Sequence, residues 1–324
     1  MKIYGVTSLG LKEQGLNPFF TEAILLNPLR TYFSRRLHAV LAWGNKPSSK
    51  LAIALARRRS IPLLRVEDGF IFGGSPGTGK RLSLVIDDLG IYYDTAHPSR
   101  LEDLIVNKLT DQQTRRAQNL RTLWIKHSIS KYNHAPTWVR PSNNWFEKPF
   151  VLLVDQTKGD ESIAGAMATS RSFQIMLEAA LTQTDSPHIL IKVHPEVVSG
   201  RKIGHFDYLS TTDINQNPRV RVMAQDFNLG SVIKQAAAVY TVSSQAGFEG
   251  LLWGKPVHTF GMPFYAGWGL TNDYLSKPSR RGEVRLEQLI VAALISYPRY
   301  LDPITNLVCE VEDVIHYLAS YVIK

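Results

Sequence analysis

Glu67, Asp155, His194 and the pair Ser243-Ser244 each place a reactive side chain where an apolar run gives way to a turn. Two carboxylates can divide the work of nucleophile and proton carrier, and an imidazole can donate to a departing oxyanion. Hydroxyls at the start of a helix, beside its first free N–H groups, suit a phosphate. Each residue also has an ordinary structural role. Glu67 fits a turn, Asp155 and the serines fit helix caps, and His194 before Pro195 fits a packed loop. Four such ends from two halves of one chain favour a shared cleft, because ligands of open parallel sheets bind beyond the carboxyl ends of the strands.

The elements that must position these residues follow from apolar periodicity. Val239–Val242 reads as a buried strand, followed by the polar turn with Ser243-Ser244, a short helix burying Phe248, Leu251 and Leu252, a Gly254-Lys255-Pro256 stop, and a strand Val257–Phe260. Upstream, Phe150–Val154 is a strand ending in Asp155-Gln156, and His188–Val193 a strand ending in His194-Pro195. Arg219–Met223 reads as a further strand, with helices expected over Ser172–Leu181 and Leu229–Ala237. In the first half a strand ends at Gly44, a helix capped by Ser48 runs to Arg59, and a strand Pro62–Glu67 follows; this alternation implies a parallel sheet. A basic helix is expected from a Thr110-Asp111 cap to His127, and amphipathic helices over Glu287–Ser296 and Val311–Val322. The polar stretch 131–144 marks a boundary, giving domains 1–145 and 146–300 with a C-terminal segment 301–324.

A chain of 324 residues, 44% hydrophobic and 20% charged, is long enough for two domains. It has neither an apolar run of the roughly 18 residues a membrane span needs nor a signal-peptide core, so a cytosolic location is expected. Cys309 is the single cysteine, which excludes an internal disulfide and a cysteine metal site. The net charge of +9, with clusters at Arg35-Arg36, Arg57-Arg58-Arg59, Arg115-Arg116 and Arg280-Arg281, suits an acidic partner. Nucleic acid is disfavoured, because no aromatic-basic platform accompanies these clusters. The segment Gly73–Lys80 imitates a phosphate-binding P-loop, yet Arg81 stands where Ser or Thr is required and a strand, Leu82–Ile86, follows in place of a helix; a flexible loop is expected. Asp87-Asp88 offers two carboxylates for a divalent cation, a thin ligand set by itself.

Arg65–Phe70 (RVEDGF), Leu84–Asp94 (LVIDDLGIYYD), Ser130–Asn133 (SKYN), Leu153–Gln156 (LVDQ), Lys192–Pro195 (KVHP) and Ser243–Thr271 resemble the capsule polysaccharide β-Kdo transferases of the KpsC type, in the same order along nearly the whole chain. The resemblance implies an α/β GT-B glycosyltransferase with two Rossmann-like domains facing across a cleft, the second holding the CMP half of CMP-Kdo. It implies a retaining reaction on a Kdo-terminated glycolipid, with Asp155 as nucleophile, Glu67 as acid/base and His194 on the leaving phosphate. Ser243, Ser244, Gln156 and Lys192 are implied on the donor and Glu249 on its ribose, with no cofactor and no metal. Lys192 or Arg65 is the candidate partner of the sugar carboxylate, and Phe264-Tyr265-Ala266-Gly267-Trp268 either lines the sugar site or packs the interdomain hinge. The basic charge suits an acidic donor, an anionic acceptor and the inner-leaflet membrane surface, hence peripheral association. Full-length members carry two transferase modules, so a second module and capsule-assembly proteins are further implied partners. Two other readings stand beside this one: a sialyltransferase-like inverting enzyme using a different CMP-sugar, and a non-catalytic module binding nucleotide or glycolipid.

Overall fold

The computed structural model describes residues 1–8, 15–74, 80–182, 188–207 and 217–321. Two sheets organise them. The second, purely parallel sheet is built from β6 (Phe150–Val154), β7 (His188–Lys192), β8 (Val220–Met223), β9 (Ala238–Thr241), β10 (Val257–Thr259) and β11 (Asn272–Asp273), in the order β11-β10-β9-β6-β7-β8. Its central strands β6, β7 and β9 are almost wholly buried and largely apolar because both faces are covered. Phe150, Leu152 and Val154 of β6 enter one core while Val151 and Leu153 enter the opposite one, which is the two-residue alternation of a pleated strand.

The first sheet holds β1 (Lys2–Val6), β2 (Ala23–Leu26), β3 (Ala39–Trp43), β4 (Leu63–Asp68) and β5 (Ser83–Asp87), joined by β12 (Pro298–Leu301) and β13 (Val308–Cys309) in the order β13-β12-β5-β4-β3-β1-β2. The expectation of a parallel sheet holds only for β1 to β4. β5 runs antiparallel to β4, with Arg65 opposite Asp87 and Glu67 opposite Val85. Among the described residues no helix lies between the two strands, and the chain doubles back. Ser83 closes that reversal: its hydroxyl bonds the carbonyl of Ile71 at 2.6 Å, and Gly69 N–H donates to the Ser83 carbonyl. The chain also returns to this sheet after the second one is complete, because β12 pairs antiparallel with β5.

Two expected helix starts resolve differently. Lys50–Arg59 is preceded by a tight turn at Pro47–Ser49, and its first residue is flanked by Ser49 rather than capped by Ser48; the Ser49 hydroxyl donates to the Trp43 carbonyl instead. The basic helix Asp111–Lys126 does begin at Thr110, which forms a reciprocal capping box with Gln113. The helix expected to reach Ala237 stops at Ile233, and Glu287–Ser296 divides into a short α-helix, Leu286–Ile290, and a π-helical stretch, Val291–Ser296. Of the glycine-rich loop, residues 75–79 lie outside the described residues; Gly73 and Lys80 pair as an antiparallel bridge.

One large core joins the halves. It runs from Phe70 and Val85 through Leu120 and Trp124 of the basic helix to Phe248, Leu252 and Trp268, and on to Val314 and Leu318 of the last helix, Val311–Tyr321. A buried ion pair ties the same halves. Arg281, 3% exposed, donates to Glu102 Oε1 at 2.7 Å and to the carbonyls of Pro263 and Ala266, while Arg280 takes Glu102 Oε2 at 2.7 Å. Removing one member leaves an uncompensated buried charge, which typically costs about 3 to 5 kcal/mol. Glu102→Gln is therefore expected to destabilise the protein by about 3 kcal/mol, read as a lower urea midpoint at pH 7; an unchanged midpoint would show that the tie contributes nothing.

Candidate active site

Asp155 follows the last residue of β6 and is 1% exposed. Its Oδ1 accepts backbone N–H groups from Gln156 and His205, each at 2.9 Å. Burial raises its pKa to about 6, opposed by those N–H bonds. The segment carrying His205 fits closely: a methyl group at Gly204 would lie 2.1 Å from Asp155 Oδ2. Gly204 therefore lets the backbone approach the carboxylate closely enough to grip it.

Glu67 arrives from the other sheet, within β4 rather than beyond its end. Burial, reinforced by the neighbouring Asp68, lifts its pKa to about 7. Gly44, at φ +46°, sits against it; a methyl group there would collide with Tyr93 Oη at 2.1 Å and Glu67 Oε2 at 2.9 Å.

Gln156 knits the ends of β6 and β9 together. Its amide donates to Ser243 Oγ at 2.9 Å and its carbonyl accepts Ser243 N–H at 2.9 Å, with the Ser162 hydroxyl joining at 3.1 Å. The Ser244 hydroxyl accepts Ala246 N–H at 3.2 Å, just ahead of the helix Ala246–Leu252, whose N-cap position is Gln245. Behind it lies Glu249, fully buried, with one oxygen accepting Lys131 N–H at 3.0 Å and the other, Oε2, without a hydrogen-bond partner among the described residues. Burial raises its pKa to about 7, with the Lys131 N–H pulling the other way.

His194 Nδ1 accepts the N–H of Glu196 at 3.1 Å, which leaves its proton on Nε2. Burial lowers its pKa to about 4, so at neutral pH it is a neutral donor. Lys192, also pulled down by burial, faces Asp226 at 3.4 Å, and Asp226 in turn holds His134 Nε2 at 2.8 Å.

These residues surround one cavity of about 520 Å³ lined by both halves. Glu67, Asp155, Gln156, Lys192, His194, Ser243, Ser244 and Glu249 all line it, so each site residue expected from sequence is brought together there. Arg65 is not among them; its guanidinium donates to Asn45 Oδ1 at 2.9 Å. The aromatic segment splits its two expected roles. Phe264 lines the cavity, whereas Tyr265 and Trp268 are fully buried, bonded to the Ser244 and Phe264 carbonyls. Asp87 and Asp88 are structural: Asp87 accepts the N–H groups of Gly90 and Arg100 and the Tyr297 hydroxyl, and Asp88 pairs with Arg100. Both are thus already satisfied without a cation. Sequence reasoning missed Ser162, Asp226 and the Gly204-His205 grip, whose only advance signals were a helix-start serine and an isolated glycine.

The cavity's charge is the largest surprise. Eight carboxylates line it against four lysines, Lys46, Lys131, Lys192 and Lys202, so the chain's basic excess does not reside there. Desolvation is the largest cause at Glu67, Asp155 and Glu249 alike, which explains why all three shift upward, and the Asp68 carboxylate adds to it at Glu67.

Two Rossmann-like sheets closing on one cleft, with the polar ends of β6, β7 and β9 on one side and Glu67 on the other, define a protein of GT-B architecture. A model of the capsule polysaccharide biosynthesis protein family matches residues 38–143 and 113–300, and this chain belongs to that family. It is 38% identical over 298 residues to the capsule polysaccharide modification protein LipA of Neisseria meningitidis serogroup B, covering 88% of this chain and 42% of LipA. It is 33% identical to the lipopolysaccharide-processing protein LpsZ of Rhizobium meliloti, covering 87% of this chain and 64% of LpsZ. The chain thus spans only part of these relatives. Among solved structures it matches the β-Kdo 2,4-transferase of Thermosulfurimonas dismutans KpsC at 37% identity and TM-score 0.89, covering 98% of both chains, and the β-Kdo 2,7-transferase of the same KpsC at 27% identity and TM-score 0.70.

Glu249 gives a test of the site's electrostatics. A carboxyl whose folded pKa is raised contributes less to stability as pH climbs from the unfolded value through the folded one, here from 4.5 to about 7. Glu249→Gln is therefore expected to gain stability over wild type at pH 8 and to lose that advantage at pH 4.5, measured by chemical denaturation at both. Equal differences at the two pH values would overturn the assignment.

Proposed function

We propose that this module is a retaining glycosyltransferase of capsule biosynthesis that moves Kdo from CMP-Kdo to a Kdo-terminated glycolipid. The observation that carries the reading is a pair of desolvated, proton-retaining carboxyls, buried Asp155 and half-buried Glu67, delivered to one cavity by two different sheets. The closer likeness to the 2,4-transferase of KpsC than to its 2,7-transferase favours the 2,4 linkage.

In this reading the Asp155 carboxylate attacks the anomeric carbon as the bond to the CMP phosphate oxygen breaks, and CMP leaves with the electron pair. His194 Nε2–H and the Ser244 hydroxyl donate to that phosphate. Charge-assisted hydrogen bonds of this kind are worth about 1.5 to 3 kcal/mol each. The acceptor hydroxyl then attacks the same carbon, Glu67 takes its proton, and Asp155 departs with its electrons. Two inversions give net retention. The second oxygen of Glu249, lacking a protein partner, is the natural acceptor for a ribose hydroxyl. Lys192 offers its ammonium to the sugar carboxylate at the cost of its contact with Asp226.

Two outcomes test this. Incubation with fresh CMP-Kdo is expected to give a Kdo-sized mass adduct in the wild type and none in Asp155→Asn, with a β-linked product on a synthetic Kdo acceptor; an α-linked product would instead indicate a single inversion. Because both catalytic carboxyls must lose protons to act, and burial holds those protons to about pH 6 and pH 7, kcat/KM is expected to rise with pH across that interval. A profile flat from pH 5 to 8 would remove the roles given to them.

A further inference from the structure

We infer that the outer edge of the first domain, formed by β2, the helix Pro28–Phe33 and the end of the helix Lys50–Arg59, is a docking surface for an anionic lipid bilayer. The inference is independent of the donor and the chemistry proposed above.

The starting point is where the positive charge lies. Nine of the 37 lysines and arginines fall between residues 23 and 66, a stretch without one aspartate or glutamate; the remaining 28 are matched by the chain's 28 acidic residues. The whole +9 excess therefore belongs to this one segment. Elsewhere most of the clustered arginines are taken up by the fold: Arg116 pairs with Glu310 and Glu312, and Arg280 and Arg281 with Glu102, leaving Arg115 exposed. Arg30, Arg35, Arg36, Arg57 and Arg58 are exposed and make no ion pair among the described residues.

The fold gathers them. Thr31, fully buried, pins the helix Pro28–Phe33 by accepting the N–H of Val6 at 3.0 Å. Arg59 reaches across to the carbonyls of Tyr32 and Ser34, both at 2.5 Å, so the Arg57-Arg58-Arg59 turn abuts Phe33 and the Arg35-Arg36 pair.

The same ridge presents apolar side chains to solvent. Leu29 is 70% exposed and Phe33 78%, one helical turn apart, and Ile24 on the outermost strand β2 is 50% exposed. Large apolar residues standing among unpaired arginines have the composition of an interfacial segment: the apolar groups enter the acyl boundary while the arginines meet headgroup phosphates. A nucleic acid would use the arginines equally well and could stack on Phe33 or Tyr32, but the aliphatic Leu29 and Ile24, as exposed as they are, suit an acyl boundary rather than a base. The acidic cleft and the basic ridge thus divide the chain's charge between two tasks.

The test is co-sedimentation with vesicles of phosphatidylcholine alone or with about one-third phosphatidylglycerol, without sugar nucleotide, so failure here and failure of the transferase reading remain separable. The wild type is expected to bind the anionic vesicles and not the neutral ones, with binding weakened by salt. Leu29→Ser/Phe33→Ser and, separately, Arg35→Glu/Arg36→Glu are each expected to reduce the bound fraction roughly tenfold while keeping the wild-type melting temperature and turnover of a soluble acceptor. Arg58→Glu, on the other helix, serves where a double variant loses its fold. Equal binding to both vesicle types, or variants that bind as wild type does, would overturn the proposal. So would a wild type that ignores vesicles and forms dimers abolished by the Leu29/Phe33 change, or one whose ridge variants lose only RNA binding.

Discussion

Burying a carboxylate at a strand end is the constraint on which the rest of this molecule depends. Asp155 has almost no contact with solvent, and an ionised carboxylate there is tolerable only if donors replace water. The donors are backbone N–H groups of Gln156 and His205, and they reach it because Gly204 has no side chain to obstruct them. The compensation is partial. A group left with a pKa of about 6 is mostly an anion at neutral pH yet gains a proton on mild acidification.

The same logic explains the crowding around it. Glu67, Glu249 and Asp155 all sit where desolvation favours the protonated form, with a neighbouring carboxylate adding to it at Glu67 (Asp68) and at Asp155 (Asp207). With all eight lining carboxylates charged, the cleft would repel an anionic ligand. Proton retention reduces that repulsion, and His194, held neutral by a pKa of about 4, supplies a donor. The unpaired positive charge lies instead at the first domain's outer edge, where Arg30, Arg35, Arg36, Arg57 and Arg58 make no ion pair among the described residues.

The two halves are joined more firmly than two facing domains need be. A single apolar core continues from the first sheet through the helix Asp111–Lys126 to the last helix, and the Arg281–Glu102 pair fastens the loop bearing Phe264 to the first domain. The closing strands β12 and β13 add the chain's end to its first sheet. The cavity's two walls are therefore built by one continuous packing unit, which holds Glu67 and Asp155 in a fixed relation.

Much of this was legible before any coordinates. Apolar runs broken by polar turns located β6, β7 and β9 almost to the residue, because strands covered on both faces must be continuously apolar; that placed Asp155, His194 and Ser243 at strand ends. The resemblance of whole segments supplied the rest of the site. Local patterns failed where partners come from far away in sequence. Nothing in Asp87-Asp88 tells that Tyr297 and the N–H of Arg100 already satisfy those oxygens, and nothing in Gly204 announces a carboxylate about fifty residues earlier pressed against it. Charge shows the division most clearly. Sequence determined that the chain is basic, since counting requires no geometry, but only the tertiary structure decided that the cleft is acidic. Ion pairing and burial set which charges reach a surface, and both are properties of the folded chain.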